Sequence, residues 1–220
     1  MKLARLTTPA GTAVFPWLNK PDSKFESQKA KGGEYHVDLR LSEEDAAPLK
    51  AELEKLLAEW TTVKNAEQKK DKKKPFRPYD RFPWQDVEDE EGNPTGEVLF
   101  KFKRGAEWTD RDGNVRKNTL QFVDSTGAGI PKPDDIIGSG SKLRICFQVR
   151  GWASPLGISI ALDLVAVQII ELNSFVGADS SDFGFSATEG FVAPPSEGDG
   201  VSKEVAAVGE GEDGVSDGDF

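Results

Sequence analysis

Two segments of this 220-residue chain place cations at alternate positions. Along residues 98–104, Val98, Phe100 and Phe102 point one way while Lys101 and Lys103 point the other. Along residues 142–150, Leu143, Ile145, Phe147 and Val149 make one face, and Lys142, Arg144, Cys146, Gln148 and Arg150 make the opposite one. A cationic strand face backed by an apolar core follows a phosphate backbone without reading bases. A solvated face tied up in salt bridges has the same pattern. Trp152 follows Arg150 in Gly151-Trp152-Ala153-Ser154-Pro155, a Gly/Pro-bounded setting where an indole can stack on a base, worth roughly 1–3 kcal/mol per base. Trp17 has a similar setting, Phe15-Pro16-Trp17-Leu18, near Lys20 and Lys24. Either indole could instead plug the end of the core.

The other end of the chain has the opposite chemistry. Residues 1–172 hold 27 Lys+Arg and 27 Asp+Glu, so they are neutral; residues 173–220 hold 11 Asp+Glu against Lys203 alone and carry the whole net charge of −10. The stretch 196–220 is acidic, rich in glycine, and ends on an aromatic, Phe220. A terminal block of like charge marks an interaction tail. Its carboxylates, Glu212, Asp213, Asp217 and Asp219 among them, can compete with nucleic acid for a cationic groove, and the Phe220 ring suits a partner's pocket.

Catalytic chemistry is poorly supplied. Cys146 is the sole cysteine, which rules out an intrachain disulfide and a multi-cysteine zinc site. His36 is the sole histidine and has no evident nucleophile partner. Asp86, Glu88, Asp89, Glu90 and Glu91 are nearly consecutive, so they cannot all converge on one ion; a solvated turn is the expectation. Gly138-Ser-Gly-Ser-Lys142 lacks the spacing of a phosphate-binding loop and precedes a strand instead of a helix. The N-terminus lacks a signal-peptide core, and the most apolar segment, 158–172, is interrupted by Asp163. A soluble protein of a reducing cytoplasm is expected, with no cofactor and no metal.

The elements that must position these groups read mainly as strands. Residues 34–41 alternate, with Tyr35, Val37, Leu39 and Leu41 opposite His36, Asp38 and Arg40. Residues 114–124 read as one strand with Leu120 and Phe122 inward and Arg116 on the same parity. Residues 158–172 form the last strand. One helix is signalled by Ser42 as N-cap with Asp45 three residues on, then Leu49, Leu53, Leu56, Leu57 and Trp60 at helical spacing, with Trp60 as core. The lysine-rich run 64–74 reads as a solvated loop. Asp112-Gly113 signals a hairpin turn; Trp84 and Trp108 are unassigned, and no internal repeat is evident. Five or six strands, one helix and long loops suggest a mainly β, five-stranded Greek-key barrel of OB type, spanning 1–172, followed by a linker, 173–195, and the disordered acidic tail, 196–220.

Several strings occur in an order that identifies a family: Lys20-Pro21-Asp22, Tyr35-x-Val37-Asp38-Leu39, Lys74-Pro75-x-x-Pro78-Tyr79, Phe100-Lys101-Phe102-Lys103, Ile136-Ile137-Gly138-x-Gly140-Ser141-Lys142-Leu143 and the ending Asp217-Gly218-Asp219-Phe220. Together they resemble the single-stranded DNA-binding proteins of T7-type bacteriophages. The resemblance implies an OB-fold and a non-catalytic, sequence-tolerant binder of single-stranded DNA in phage replication, recombination and repair within the host cytoplasm. It also implies a homodimer, and a tail that contacts the phage DNA polymerase and helicase-primase. The family's basic groove and aromatic map onto Lys101, Lys103, Lys142 and Trp152, with Lys31 a looser match. The expected contact set is therefore Lys31, Arg40, Lys101, Lys103, Arg116, Lys142, Arg144 and Arg150 for phosphates, with Trp152 and Trp17 for bases. A protein-interaction hub that meets DNA only through partners is the competing expectation.

Overall fold

The computed structural model describes residues 2–79 and 81–174. The tail residues Glu212, Asp213, Asp217, Asp219 and Phe220, and the linker from 175 on, lie outside the described residues.

The chain runs β1 (Lys2–Thr7), β2 (Gly11–Asp22), α1 (Glu26–Lys29), β3 (Glu34–Ser42), α2 (Glu43–Lys70), β4 (Trp84–Glu88), β5 (Pro94–Gly105), β6 (Glu107–Thr109), β7 (Val115–Lys117), β8 (Gln121–Val123), β9 (Gly129–Ile130), β10 (Lys142–Ser154) and β11 (Gly157–Glu171). Strands β2, β3, β5, β11 and β10 pair in that order, and β10 returns to β2, so the sheet closes on itself. All contacts round the ring are antiparallel except β5–β11, which is parallel and held by one register pair, Asp163 with Lys103. This is the OB topology, with α2 inserted between the second and third barrel strands. Strand β1 continues the first barrel strand along β10, pivoting at buried Thr8, whose Oγ1 accepts from Ile145 N–H at 3.0 Å.

Alternation is what closes this barrel around a core. Val37, Leu39, Phe100, Phe102, Leu143, Ile145, Phe147, Val149, Leu162 and Leu164 are all buried, and they come from the inward parity of β3, β5, β10 and β11. Helix α2 plugs the barrel with Ala46, Leu49 and Leu53, while its buried Trp60 packs against Gly151 of β10. Its start follows the sequence signal: Ser42 Oγ accepts from Asp45 N–H at 3.2 Å. It then runs through Lys64, Lys69 and Lys70, correcting the expectation of a solvated loop there. Interleaved carboxylates such as Glu67, ion-paired to Lys64, relieve the repulsion, and cations in the last turn suit the helix dipole. No helix among the described residues is long and apolar enough to cross a membrane.

Residues 114–124 are not one strand. They divide into β7 and β8 around Asn118, which donates through Nδ2 to Gly105 O at 2.8 Å and accepts from Arg104 Nη2 at 2.7 Å. Arg116 is therefore exposed on the separate β6–β7 ribbon, not inward. Strand β2 escaped the sequence pattern because Pro16 and Pro21 interrupt it; its pairing with β3 shifts register on both sides of Trp17.

One local device recurs in three tight connections. Asp89, Asp110 and Asp124 each use Oδ1 to accept the N–H groups two and four residues on, at 2.8–3.0 Å. Gly92, Gly113 and Gly127 supply the left-handed residue, with φ between 83° and 92°. The solvated-turn expectation for 86–91 holds from Asp89 to Glu91, but Asp86 and Glu88 belong to β4 and pair with β5; the Asp112-Gly113 hairpin closes as a longer loop, 110–114. Backbone N–H bonds hold the Asp89 and Asp110 carboxyls below the ordinary aspartate value, and at Asp124 the Thr126 hydroxyl leads, with backbone N–H bonds beside it. Among the described residues, no cluster of His, Cys, Asp and Glu could hold a metal ion.

Candidate nucleic-acid interface

The outward parity of β2, β3 and β5 builds one face. Cross-strand register makes rows of Val14, Asp38 and Lys101, and of Trp17, His36 and Lys103; Thr12 and Arg40 form a third row, extended by Lys142 of β10 beside Thr12. Lys101 makes no ion pair among the described residues. Its strand neighbour Asp38 is half-buried, and that burial raises its carboxyl above the ordinary value against the pull of Lys101, His36 and Lys103. Arg40 lies 3.6 Å from Glu97. The Trp17 ring is tilted against His36 at 6.3 Å, with Lys20 Nζ 5.9 Å from its centroid.

This face continues round the barrel into an open groove of about 800 Å³. The link is Glu34, whose two carboxylate oxygens lie 3.7 Å from Lys103 Nζ and 3.4 Å from Lys31 Nζ. Lys2, Arg5, Lys31, Arg104 and Arg150 line the groove against only two carboxylates, Glu107 and Asp163. Four elements place these cations, with Lys2 and Arg5 both on β1. The loop after α1 carries Lys31, whose carbonyl accepts from Glu107 N–H at 2.8 Å. Arg104 spans from β5 to β11 and donates to Leu164 O at 3.1 Å. Arg150 grips Asp163 with two bonds, 2.6 and 3.0 Å, which raises its already high pKa. The β6–β7 ribbon supplies the groove's aromatic wall, Trp108, which is 51% exposed. Arg116 is its cross-strand partner and is ion-paired to Asp110 at 2.9 Å.

The expected contact set thus divides. Lys101, Lys103, Lys142, Arg40 and Trp17 share the β2–β3–β5 face or its edge; Lys31 and Arg150 line the adjoining groove, with Arg116 beside its Trp wall. Arg144 does not join them. It donates to Thr8 O at 3.2 Å beside the acidic start of α2, near Glu44, Asp45 and Glu52. Trp152 is not in a loop but inside β10, paired with Ser159. It is half-buried, its ring meets Tyr79 edge-on at 5.1 Å, and its carbonyl accepts from Trp60 Nε1 at 3.4 Å. The sequence left Trp108 unassigned. Its signal was available in the two residues cross-strand, since a Trp opposite an Arg on a Gly-turned ribbon has little core to enter. Trp84 resolves the other way: it is buried, 4.8 Å from the Phe82 ring and 6.1 Å from Phe100.

Comparison with known proteins gives a consistent result. The family model described as "Single-stranded DNA-binding protein, Bacteriophage T7" matches residues 10–172. A single-stranded DNA-binding protein of Enterobacteria phage T3 is 31% identical over 199 residues, covering 84% of this chain and 83% of that one. The corresponding protein of Escherichia phage T7 is 34% identical over 127 residues, covering 55% and 51%. Among solved structures, gp2.5, a single-stranded DNA-binding protein encoded by bacteriophage T7, superposes with a TM-score of 0.63 at 26% identity, over 88% of this chain and all of that one. The single-stranded DNA-binding protein of bacteriophage Enc34, solved in complex with single-stranded DNA, shares the fold at a TM-score of 0.53 and 12% identity, over 79% of this chain and 89% of that one. The matched segment covers the whole barrel together with its helix and its ribbon, and the chain belongs to the T7-type family of phage single-stranded DNA-binding proteins.

Proposed function

We propose that this chain coats single-stranded DNA without sequence preference during phage replication, recombination and repair. As a member of a family of binding proteins it is not an enzyme. The observation that carries the reading is the clustering of cations on adjoining surfaces: Lys101 and Lys103 on the strand face, joined through the shared carboxylate of Glu34 to Lys31 in a groove that also holds Lys2, Arg5, Arg104 and Arg150. Lysines and arginines there neutralise phosphates, and Trp108 offers a π-face to a base. Arg40, Arg116 and Lys142 flank the same path, and Trp17 stands at its far end. Arg144 and Trp152 remain contacts proposed from the family resemblance alone.

The acidic tail is proposed to share that surface by turns with DNA, freeing Phe220 and its neighbouring carboxylates for the phage polymerase and helicase-primase when DNA displaces it. A homodimer in the host cytoplasm is proposed on the same resemblance. The charge division supports the competition, since residues 173–220 carry the whole net charge of −10. Fluorescence anisotropy with a labelled oligo(dT) tests both ideas. Binding to oligo(dT), weaker binding to duplex, and tighter binding after truncation at Pro195 are expected. No binding at low salt refutes the DNA reading and leaves an interaction hub; unchanged affinity of the truncated chain refutes the competition.

A further inference from the structure

Phe15 is an apolar ring held out in water by its backbone. Its φ is 46°, the left-handed region that β-region residues before a proline avoid, and Pro16 follows it. The residue is 74% exposed, so burial repays little of this strain. The conformation is nonetheless fixed: Phe15 N–H donates to Ser139 Oγ at 2.9 Å. The same two segments are laced together by Asn19, which donates to Pro133 O and Asp135 O and accepts from Ile137 N–H, each at 2.9 Å. Beside Phe15 stand Trp17, 38% exposed, and Ile136, 53% exposed, around a cleft of about 480 Å³ whose charged lining is Lys20 and Lys132. Backbone strain that presents a rigid apolar ring is kept where a ligand uses the ring.

We infer that the Phe15–Trp17–Ile136 cleft is a receiving site for unpaired nucleobases, with Lys20 and Lys132 holding the flanking phosphates. This rests on the proposed DNA-binding reading and extends its path. Two observations select the ligand. The lining charge is cationic, which suits a polyanion. The cleft is also continuous with the phosphate-binding face, since Trp17, His36 and Lys103 form one cross-strand row. Flat rings between lysines take bases of any sequence, because every base has a π-face.

The test compares the full chain with Phe15→Gly, which keeps the left-handed backbone, and with Phe15→Ala. The probes are oligo(dT) and an abasic oligomer of equal length, which carries the same phosphates and no bases. The wild type is expected to prefer oligo(dT), and both variants to lose about five- to tenfold in oligo(dT) affinity while abasic binding and salt slope stay unchanged. Equal oligo(dT) affinity in wild type and variants overturns the site and leaves the DNA reading intact. Failure of the wild type to bind oligo(dT) at all overturns the DNA reading and this site with it. A change of oligomeric state on sedimentation, with oligo(dT) affinity unchanged, overturns the site in favour of a contact between copies.

Discussion

Replacing Lys101 with Gln removes one ammonium from the middle of the β2–β3–β5 face and leaves strand pairing intact. No ion pair among the described residues holds that ammonium, so a phosphate can take it without displacing a carboxylate. One ammonium–phosphate contact at about 4 Å in water is worth about 1 kcal/mol, or roughly fivefold in affinity at low salt. Losing one contact should flatten the log–log salt slope by about 0.7 for a single strand. Between about 50 and about 200 mM salt the deficit then shrinks by a factor of about 2.6, from roughly fivefold to roughly twofold. Asp38→Asn acts with opposite sign on the same strand pair: for a phosphate taken at about 8 Å, removing the carboxylate charge should tighten binding roughly twofold. Burial holds the Asp38 carboxyl above its ordinary value, so the wild type should also gain affinity as pH falls through that raised value, and Asp38→Asn should lack the gain. Oligo(dT) anisotropy titrations at several salt and pH values measure all of this. Parallel salt lines for Lys101→Gln and wild type would refute the placement of a phosphate at Lys101.

Trp108→Ala should weaken oligo(dT) binding by about 1–3 kcal/mol with an unchanged salt slope, read from the same titrations; a flattened slope would mean the indole acts by arranging the groove's cations. Gly151→Ala should destabilise the barrel by about 1–3 kcal/mol through overpacking, because a Cβ there would meet the buried Trp60 ring at 2.5–2.7 Å, and urea unfolding will register it. The Asp89, Asp110 and Asp124 carboxyls have folded pKa values below their unfolded ones, so their contribution is present above about pH 4 and fades as pH falls through the lowered values. Urea midpoints of Asp110→Asn and wild type should therefore differ most near neutrality and converge in acid.

Strands β3, β5, β10 and β11 were legible because their alternation is uninterrupted over seven or more residues. Strand β2 was not, since two prolines break its parity while strand pairing with β3 tolerates the resulting shifts. The lysine run was misread over 64–70 because charge density alone says nothing of the carboxylate at Glu67 or the helix already propagating into it, whereas Lys72, Lys73 and Lys74 do lie in an exposed turn and coil. Part of the site was hidden by geometry. Period two tells inside from outside, but the outside of a closed barrel is not one surface. Arg144 and Arg150 share the outward parity of β10, yet one lies by the acidic start of α2 and the other in the groove. Trp152 was misplaced because Gly151 reads as a loop signal, whereas it is glycine to admit the Trp60 ring against the strand.

The parallel junction between β5 and β11 is held by one register pair, and Arg104 reaches across it to a carbonyl while lining the groove above. On the proposed binding path, ligand contact and wall integrity meet in one side chain, so Arg104→Ala is expected to cost both a phosphate contact and a brace across the junction.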